Sequence, residues 1–433
     1  MLVTVHSINT PTVKRLIKFW AERYIPNLSP LPSVGKNPES YLELVKANSP
    51  EGRALTVAKL HERLITIKCQ MAGIQTNVLY AYIPNIVNLS EARRLTEFAC
   101  LIYLKLLEIY QQSSSTVPEE QAILAATTSQ ETSYSPREIL TRSAWGMPSI
   151  EEIAIAIQPI LLEFQHQHIV SKDWRTLGFI TTFLNFSNQL LSYKLTPFEK
   201  AFIQPYFKFI EEQVALPWQR VCMAAAKHQI SSPAFTLVEQ IFPASREIAE
   251  IVYRRLIQLL PNHCSRRGKL INLEITHSCL RDLEMFQAYL WLCFLEENMA
   301  PIESELVDLC VMVLPGVQVK WEMTELWNQL LTEEIISRLT PSQKTLLQPY
   351  TKGLQEAFLK QRDRFLVPTE DGQEKDRLIT TKLNQLTFEP PLLTEDSPNS
   401  DQLENEITRL NNKLVQLEQE LNSLRVQLDE DST

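Results

Sequence analysis

The sequence predicts an all-α protein, with a helical body built from two related multi-helix bundles and a C-terminal coiled-coil helix. Three observations predict this fold class. Glycine occurs only nine times in 433 residues, apolar residues recur at spacings of three and four rather than alternating, and helix start signals punctuate the chain. A chain of this length holds two or three domains and buries a substantial core.

The first helix is predicted to begin at Thr10-Pro11, because proline suits the first position of a helix. Its apolar side chains form one stripe at helical spacing, composed of Val13, Leu16, Ile17, Trp20 and Tyr24. Ser49-Pro50 is a further start signal, and a long helix is expected from Ser90 to about Tyr110. Residues 1–110 are therefore assigned to an N-terminal bundle region, the first part of copy one.

After residue 110 the chain alternates between polar segments and amphipathic helical segments. Residues 111–147 begin with a polar stretch rich in Ser and Thr, which predicts a surface loop or linker and leaves a phosphorylation target open. Residues 148–366 return to amphipathic helices, starting with a capping signal at Ser149, and are predicted to complete copy one and contain copy two. Residues 367–400 are polar and predict a tether, and residues 401–430 are assigned to a coiled coil.

A fourteen-residue phrase occurs twice and is the main evidence for duplication. It reads LTPFEKAFIQPYFK from Leu195 and LTPSQKTLLQPYTK from Leu339. In each copy Thr suits an N-cap, Pro follows at the first helical position, and Glu or Gln three residues after Thr completes a capping box. Each copy also carries an interior proline, Pro205 or Pro349, where a helix is expected to kink or restart. Tyr206 and Tyr350 are read as packing residues with their hydroxyls at the surface.

A second pair of segments supports the duplication. LRDLEMFQAYLWLCFLEE from Leu280 aligns without gaps on ARRLTEFACLIYLKLLEI from Ala92, and Ser278 and Ser90 are expected to cap the two helices. The two alignments occur in the same order along the chain. Copy one has more residues between its two aligned segments than copy two has. The Ser/Thr-rich loop accounts for most of these extra residues.

The C-terminal segment carries a strict heptad. Its a and d positions, starting with d, are all Leu or Ile: Leu403, Ile407, Leu410, Leu414, Leu417, Leu421, Leu424 and Leu428. This period places the whole seam on one side of a supercoiled helix. In a parallel pair Lys413 at g faces Glu418 at e of the other helix, and Glu420 faces Arg425. These positions predict an intermolecular coiled-coil interface.

The alternative is that this helix folds back on its own body. A surface helix of a globular protein shows a broader apolar stripe than strict a and d positions, and an isolated helix of this length is marginal in water without a partner. We therefore expect self-association. A parallel dimer is favoured, although Leu at most a positions leaves a trimer open.

Several His, Cys and Glu residues are candidate metal ligands. His263, Cys264, His277 and Cys279 cluster in sequence, but their spacing differs from that of paired zinc ligands. Two Glu-x-x-His matches, Glu163/His166 and Glu274/His277, share the form of di-iron motifs. In the first, His166 points away from the predicted core stripe. In the second, Glu274 is expected to precede the cap at Ser278, so the pair does not share a helix.

Charge and composition indicate which ligands and which cellular compartment the protein favours. The net charge is −9, of which residues 401–433 carry −5, and a mildly acidic body does not favour nucleic acid. The basic cluster of Arg254, Arg255 and the turn HCSRRGK from His263 is read as a solvated turn. No apolar stretch reaches the length of a membrane span, and we expect no membrane insertion. The seven cysteines are odd in number, and no N-terminal signal peptide is visible. Both observations favour a reducing compartment, and we expect the cytoplasm.

These observations favour a non-enzymatic scaffold or adaptor that dimerises through its C-terminal coiled coil and binds a protein partner not identified by the sequence. No catalytic, cofactor-binding or metal-binding residues are assigned, and no cofactor is expected. Two alternatives stay open. One is a helical-bundle enzyme or sensor with a metal or small-molecule site in its core. The other is a transcriptional regulator with a helix-turn-helix near residues 245–285.

Overall fold

The computed structural model describes most of the helical body. The described residues are 10–21, 23–24, 26, 38–80, 89–112, 147–171, 175–215, 217–266, 268–315, 317–362, 408–409 and 412. Within them the chain is almost wholly helical, with one two-stranded hairpin. The predicted all-α class is confirmed. No helix in these ranges is long and apolar enough to pass through a bilayer.

The first half of the body contains eight helices within the described ranges. They are α1 (Pro11–Ala21), α2 (Pro38–Asn48), α3 (Pro50–Lys59), α4 (Glu62–Leu79), α5 (Leu89–Gln112), α6 (Ile150–Ser171), α7 (Arg175–Ser192) and α8 (Pro197–Ala215). Helix α1 is the predicted first helix, and the whole of its predicted stripe is buried. The spacing gathers Val13, Leu16, Ile17 and Trp20 on one face of α1, and Tyr24 follows the end of the helix.

The second half follows without a long break. It contains α9 (Trp218–Ala225), α10 (Pro233–Ile241), a 3-10 turn (Phe242–Ala244), α11 (Ser245–Leu259), β1 (Cys264–Ser265), β2 (Gly268–Lys269), α12 (Leu273–Glu296), a π-helical turn (Ile302–Leu306), α13 (Val307–Val313), α14 (Trp321–Ser337) and α15 (Pro341–Leu359). The strands pair antiparallel, Cys264 with Lys269 and Ser265 with Gly268. Gly268 has a φ of +119°, which favours glycine at this turn.

The predicted helix starts are formed by local hydrogen bonds. Ser49 Oγ accepts from Gly52 N at 3.0 Å. At Ser149 the capping box is complete, because Glu152 N donates to Ser149 Oγ at 3.1 Å and Ser149 N donates to Glu152 Oε2 at 2.9 Å. These groups satisfy amides that have no partner within their own helix. The start signals read from the sequence are therefore confirmed at these positions.

Both copies of the repeated phrase form the same local structure. Helices α8 and α15 are 19 residues long, and each carries its interior proline at the ninth position. Thr196 N donates to Glu199 Oε2 at 2.8 Å, and Thr340 N donates to Gln343 Oε1 at 3.0 Å, so both capping boxes form. Each helix continues through its proline. Of the two expected outcomes, a restart of the helix does not occur, and a kink at the proline stays a prediction.

The placement of one repeated tyrosine also differs from the expectation. Tyr206 is 3% exposed and its hydroxyl donates to Pro148 O at 2.8 Å. A buried backbone carbonyl takes the place of water, because a phenol in the interior needs a hydrogen-bond partner. In the second copy Tyr350 is half-buried, and its ring meets Phe294 edge-on with centroids 5.3 Å apart. Tyr206 meets Tyr110 in the same manner at 5.8 Å.

The two halves repeat one arrangement of helices. In the first bundle (residues 62–215, helices α4–α8), α4 packs on α5 and α7, α5 packs on α6, and α8 packs on α6 and α7. In the second bundle (residues 245–359, helices α11–α15 with the π turn), α11 packs on α12 and α14, α12 packs on the π turn, and α15 packs on the π turn and α14. Helix α12 also packs on α15, and α5 and α8 have no contact of the same extent. The other contacts correspond in the same chain order, which agrees with the predicted duplication.

The long helices match in burial as well as in sequence. Helices α5 and α12 each contain 24 residues. Buried positions of α5 align with buried positions of α12: Leu95 with Leu283, Phe98 with Phe286, Ile102 with Leu290, Tyr103 with Trp291, and Leu106 with Phe294. Both predicted serine caps are wrong. Helix α12 begins at Leu273 and helix α5 begins at Leu89, so Ser278 and Ser90 lie inside their helices and not at the N-cap.

Several predicted segments lie outside the described residues. They are the Ser/Thr-rich loop beyond Gln112, the tether at 367–400, and most of the coiled coil. The domain boundaries drawn through them stay predictions.

Replacing the capping threonine tests the contribution of the repeated start signal. We expect Thr340→Ala to lower the free energy of unfolding by about 1 kcal/mol, because the amide of Gln343 loses its acceptor. The measurement is the midpoint of urea unfolding followed by circular dichroism. Thr345→Ala, at an exposed position inside the same helix, is the control, and an equal loss in both variants contradicts the role of the cap.

Candidate functional site at the junction of the two bundles

The two bundles meet across a layer of buried charge. Three carboxylates lie there. Glu284 of α12 is 1% exposed, and Glu211 and Glu212 of α8 are 6% and 7% exposed, respectively. Buried carboxylates are rare unless they are paired, and clusters of buried titratable groups with shifted pKa values mark candidate functional sites. The junction is therefore the strongest candidate in the described part of the chain.

Glu284 lies between two arginines from different elements. Its Oε2 accepts a short hydrogen bond from Arg23, which follows α1, and its Oε1 accepts from Arg246 of α11 at 3.1 Å. The guanidinium of Arg23 also stacks over Trp218, 5.7 Å from the ring centroid. Burial lowers the pKa of Arg23, but the carboxylates of Glu284 and Glu212 outweigh that effect and raise it overall. The guanidinium of Arg23 thus stays charged where it is buried.

A hydrogen-bond relay continues from this pair into the first bundle. Trp20 Nε1 donates to Tyr24 Oη at 3.0 Å, and Tyr24 Oη donates to Glu212 Oε2 at 2.5 Å. Phe209 packs against both aromatic rings, with centroids 5.2 Å from each. Burial and the neighbouring carboxylate raise the pKa of Tyr24 well above its usual value, so the phenol stays a donor. The segment after α1 therefore connects α8 of the first bundle to α12 of the second.

Glu211 lies in a separate pocket of polar groups. Its carboxylate accepts from Asn185 Nδ2 at 3.3 Å and from Asn188 Nδ2 at 3.2 Å, and His277 Nε2 lies 3.9 Å away. Burial raises the pKa of Glu211 to about 7, although the amide hydrogen bonds lower it. Burial, together with nearby Arg281, lowers the pKa of His277. At neutral pH His277 is therefore mostly neutral, and the proton on Glu211 titrates close to neutral pH.

An apolar cavity lies beside the charged layer. It has a volume of about 140 Å³ and is lined mainly by α12, α13 and α14 of the second bundle. The first bundle contributes Tyr80 and Thr181, and the β-hairpin contributes His263 and Ser265. Arg281 and Asp282 form the polar part of the wall. The cavity is thus formed by both bundles together and by the turn that the sequence analysis read as solvated.

The residues considered as metal ligands are dispersed. His263 and Cys264 lie on the hairpin, whereas His277 and Cys279 lie on α12. Among the described residues, no three His, Cys, Asp or Glu side chains are grouped as a metal site requires. Glu274 and His277 do share α12, which corrects the expectation that Glu274 precedes the helix. Glu163 is exposed on α6.

The basic cluster is engaged within the fold. Arg255 Nη2 contacts Glu333 Oε2 of α14 at 2.8 Å, and Arg254 Nε donates to Glu250 O at 3.2 Å. The backbone amide of Arg266 donates to Val317 O at 3.0 Å, which anchors the hairpin to the loop after α13. These contacts fix the turn against the second bundle.

The predicted coiled-coil residues lie outside the described part of the chain. This applies to the eight Leu and Ile positions and to Lys413, Glu418, Glu420 and Arg425. Three residues of the segment are described: Thr408, Arg409 and Asn412 are helical and exposed. They fall at positions b, c and f of the heptad, which face outward in a coiled coil.

The sequence carries a signal for the buried charges that the predicted site residues do not include. Glu211 follows Phe207 by four residues and precedes Val214 by three, which places it on the buried stripe of α8. Glu284 follows Leu280 by four and precedes Ala288 by four on α12. A carboxylate at such a position predicts a buried partner, but its identity depends on distant segments.

Replacing Glu284 tests how much its carboxylate contributes to the stability of the fold. We expect Glu284→Gln to lower the free energy of unfolding by about 3 kcal/mol, because Arg23 and Arg246 lose a buried counter-charge. Glu250→Gln is the matched control, because Glu250 pairs with Arg246 at an exposed position, and its effect is expected below about 0.5 kcal/mol. Urea unfolding at neutral pH measures both, and equal effects contradict the assignment.

Glu211 makes stability depend on pH. Its folded pKa of about 7 exceeds the ordinary value of 4.5, so the folded state binds the proton more tightly than the unfolded state. Stability from this group is therefore present below pH 4.5 and is lost as pH rises to about 7, by on the order of 3 kcal/mol. Urea unfolding against pH measures it. We expect Glu211→Gln to remove this slope, and an unchanged slope in the variant contradicts the assignment.

Comparison of the chain with protein-family models, curated proteins and solved structures found no match. Function is therefore inferred from the residues of this chain alone. The junction combines a buried ionic layer, a proton-exchanging carboxyl group and an apolar cavity, and both bundles contribute to it.

Proposed function

We propose that this protein is a non-enzymatic scaffold or adaptor that self-associates through residues 401–430. The observation that carries the proposal is the strict heptad from Leu403 to Leu428. A seam of this period buries its apolar positions only against another helix.

The length and charges of the seam favour a parallel dimer. The seam contains eight apolar positions, and its helix is roughly 39 Å long at 1.5 Å per residue. In a parallel pair Lys413 faces Glu418, and Glu420 faces Arg425. Such pairs at g and e positions set the orientation of coiled coils.

The body contributes a rigid helical surface to this assembly. Its helices expose single large apolar side chains, including Leu55, Leu101 and Leu259 at 60%, 56% and 56%. Two bodies joined through the polar segment 367–400 double the number of such surfaces. A partner that binds both then gains affinity through effective concentration, without a new contact.

The proposed compartment is the cytoplasm. All seven cysteines are free, and Cys69, Cys222, Cys293 and Cys310 are buried. Buried free thiols are typical of proteins in a reducing environment. A protein partner is proposed in the same compartment, and nucleic acid is not proposed as a ligand.

Light scattering after gel filtration tests the dimer. We expect twice the chain mass for the full-length protein and the single-chain mass for a truncation that ends at residue 398. Leu414→Asp, at an a position, is expected to give the monomer, because a charge enters the seam. Asn412→Asp adds the same charge at the exposed f position and is expected to stay dimeric. A monomeric full-length protein contradicts the proposal.

Affinity purification tests the adaptor role. The full-length protein and the truncation at residue 398 are compared as baits. We expect the same partner with both baits, but weaker retention by the truncation because it lacks the second body. A partner lost completely on truncation indicates binding to the coiled coil, which contradicts the role given to the body.

A further inference from the structure

The apolar cavity at the junction has the size of a small ring. Its volume of about 140 Å³ is close to that of cavities of about 150 Å³ that bind benzene in other proteins. Among its lining residues Val313, Leu314 and Val317 are only half-buried, and we call this partly exposed side the mouth of the cavity. A solute of this size therefore has a route into the cavity from solvent.

The residues that line the cavity favour an apolar ligand over water as its occupant. Most of its side chains are apolar, including Met285, Phe286, Leu309, Met323 and Trp327. A buried water needs two to four polar partners. An apolar solute instead gains dispersion contacts and leaves water when it enters such a space.

The charges in the wall are compensated by each other. Arg281 Nη2 contacts Asp282 Oδ1 at 2.6 Å, and Arg281 Nε donates to the same oxygen at 2.9 Å. Burial lowers the pKa of His263, so this imidazole is neutral at neutral pH. A charged ligand would lose its hydration without gaining a free counter-charge. The wall therefore selects against ions.

The side chains around the space favour an aromatic ring. Phe286 and Trp327 are tilted by 58° with centroids 5.8 Å apart, so a further ring can pack edge-on or offset against them. Met285 and Met323 add thioethers, which contact aromatic rings favourably and adapt to irregular shapes. Trp327 is 7% exposed, and its indole N–H has no partner among the described residues.

We propose that this cavity is a binding site for a small, uncharged, single-ring molecule. Such a ligand contacts Tyr80 and Thr181 of the first bundle and α12, α13 and α14 of the second. Because it touches both, binding stabilises the junction and couples ligand concentration to the relative placement of the bundles. The proposal is independent of the C-terminal coiled coil.

Two probes of the same carbon skeleton test the ligand class on the full-length protein at neutral pH. Benzyl alcohol is uncharged, whereas benzoate carries a negative charge. Calorimetric titration and saturation-transfer NMR measure both. We expect benzyl alcohol to bind and benzoate to bind at least about tenfold more weakly. No binding of benzyl alcohol up to its solubility limit, or equal binding of both probes, overturns the proposal.

Matched tryptophan variants locate the site. Val313→Trp places an indole in the cavity and is expected to weaken benzyl alcohol binding by about tenfold or more. Met312→Trp, the preceding and similarly half-buried residue of α13, does not line the cavity and is expected to bind as the parent does. Circular dichroism checks folding, and Val317→Trp at the mouth replaces Val313→Trp if that variant does not fold. Equal binding by a folded filling variant and the control places the probe elsewhere and overturns the site.

Discussion

The carboxylate of Glu284 is the interaction on which the arrangement of this protein depends. It is almost fully buried, and a buried charge is stable only when a partner is held against it. Arg23 and Arg246 provide that partner from two elements distant in sequence. Through Tyr24 and Glu212 the same network reaches α8. One electrostatic requirement therefore positions the N-terminal segment, the first bundle and the second bundle.

The junction shows how a repeated sequence acquires different roles in its two copies. In the repeat alignment Glu212 corresponds to Glu356, yet Glu212 is buried and Glu356 is exposed. Arg281 likewise corresponds to Arg93, whose side chain is 83% exposed and pairs with Glu97. The same residue types lie at solvent in one copy and at the junction in the other. The difference arises because each bundle turns a different face toward its neighbour.

The two proposed activities use different parts of the chain. Self-association depends on the C-terminal heptad, whereas ligand binding depends on the space between the bundles. The junction also holds Glu211, whose pKa burial raises to about 7. Proton uptake there, or a small molecule in the cavity, provides a physical route by which the relative placement of the two bundles can change.

The sequence by itself determined the helical class, the helix starts and the repeat. These features depend on local rules: proline at the first helical position, Thr or Ser as N-cap, and apolar spacing that matches the helix period. The tertiary structure alone decided that α12 extends back to Leu273, that helices α8 and α15 continue through their prolines, and that Tyr206 is buried. It alone brought together Arg23 and Glu284, and Tyr80 and Trp327. Contacts between segments hundreds of residues apart depend on which faces the bundles bury against each other, and helical periodicity carries no information about that choice.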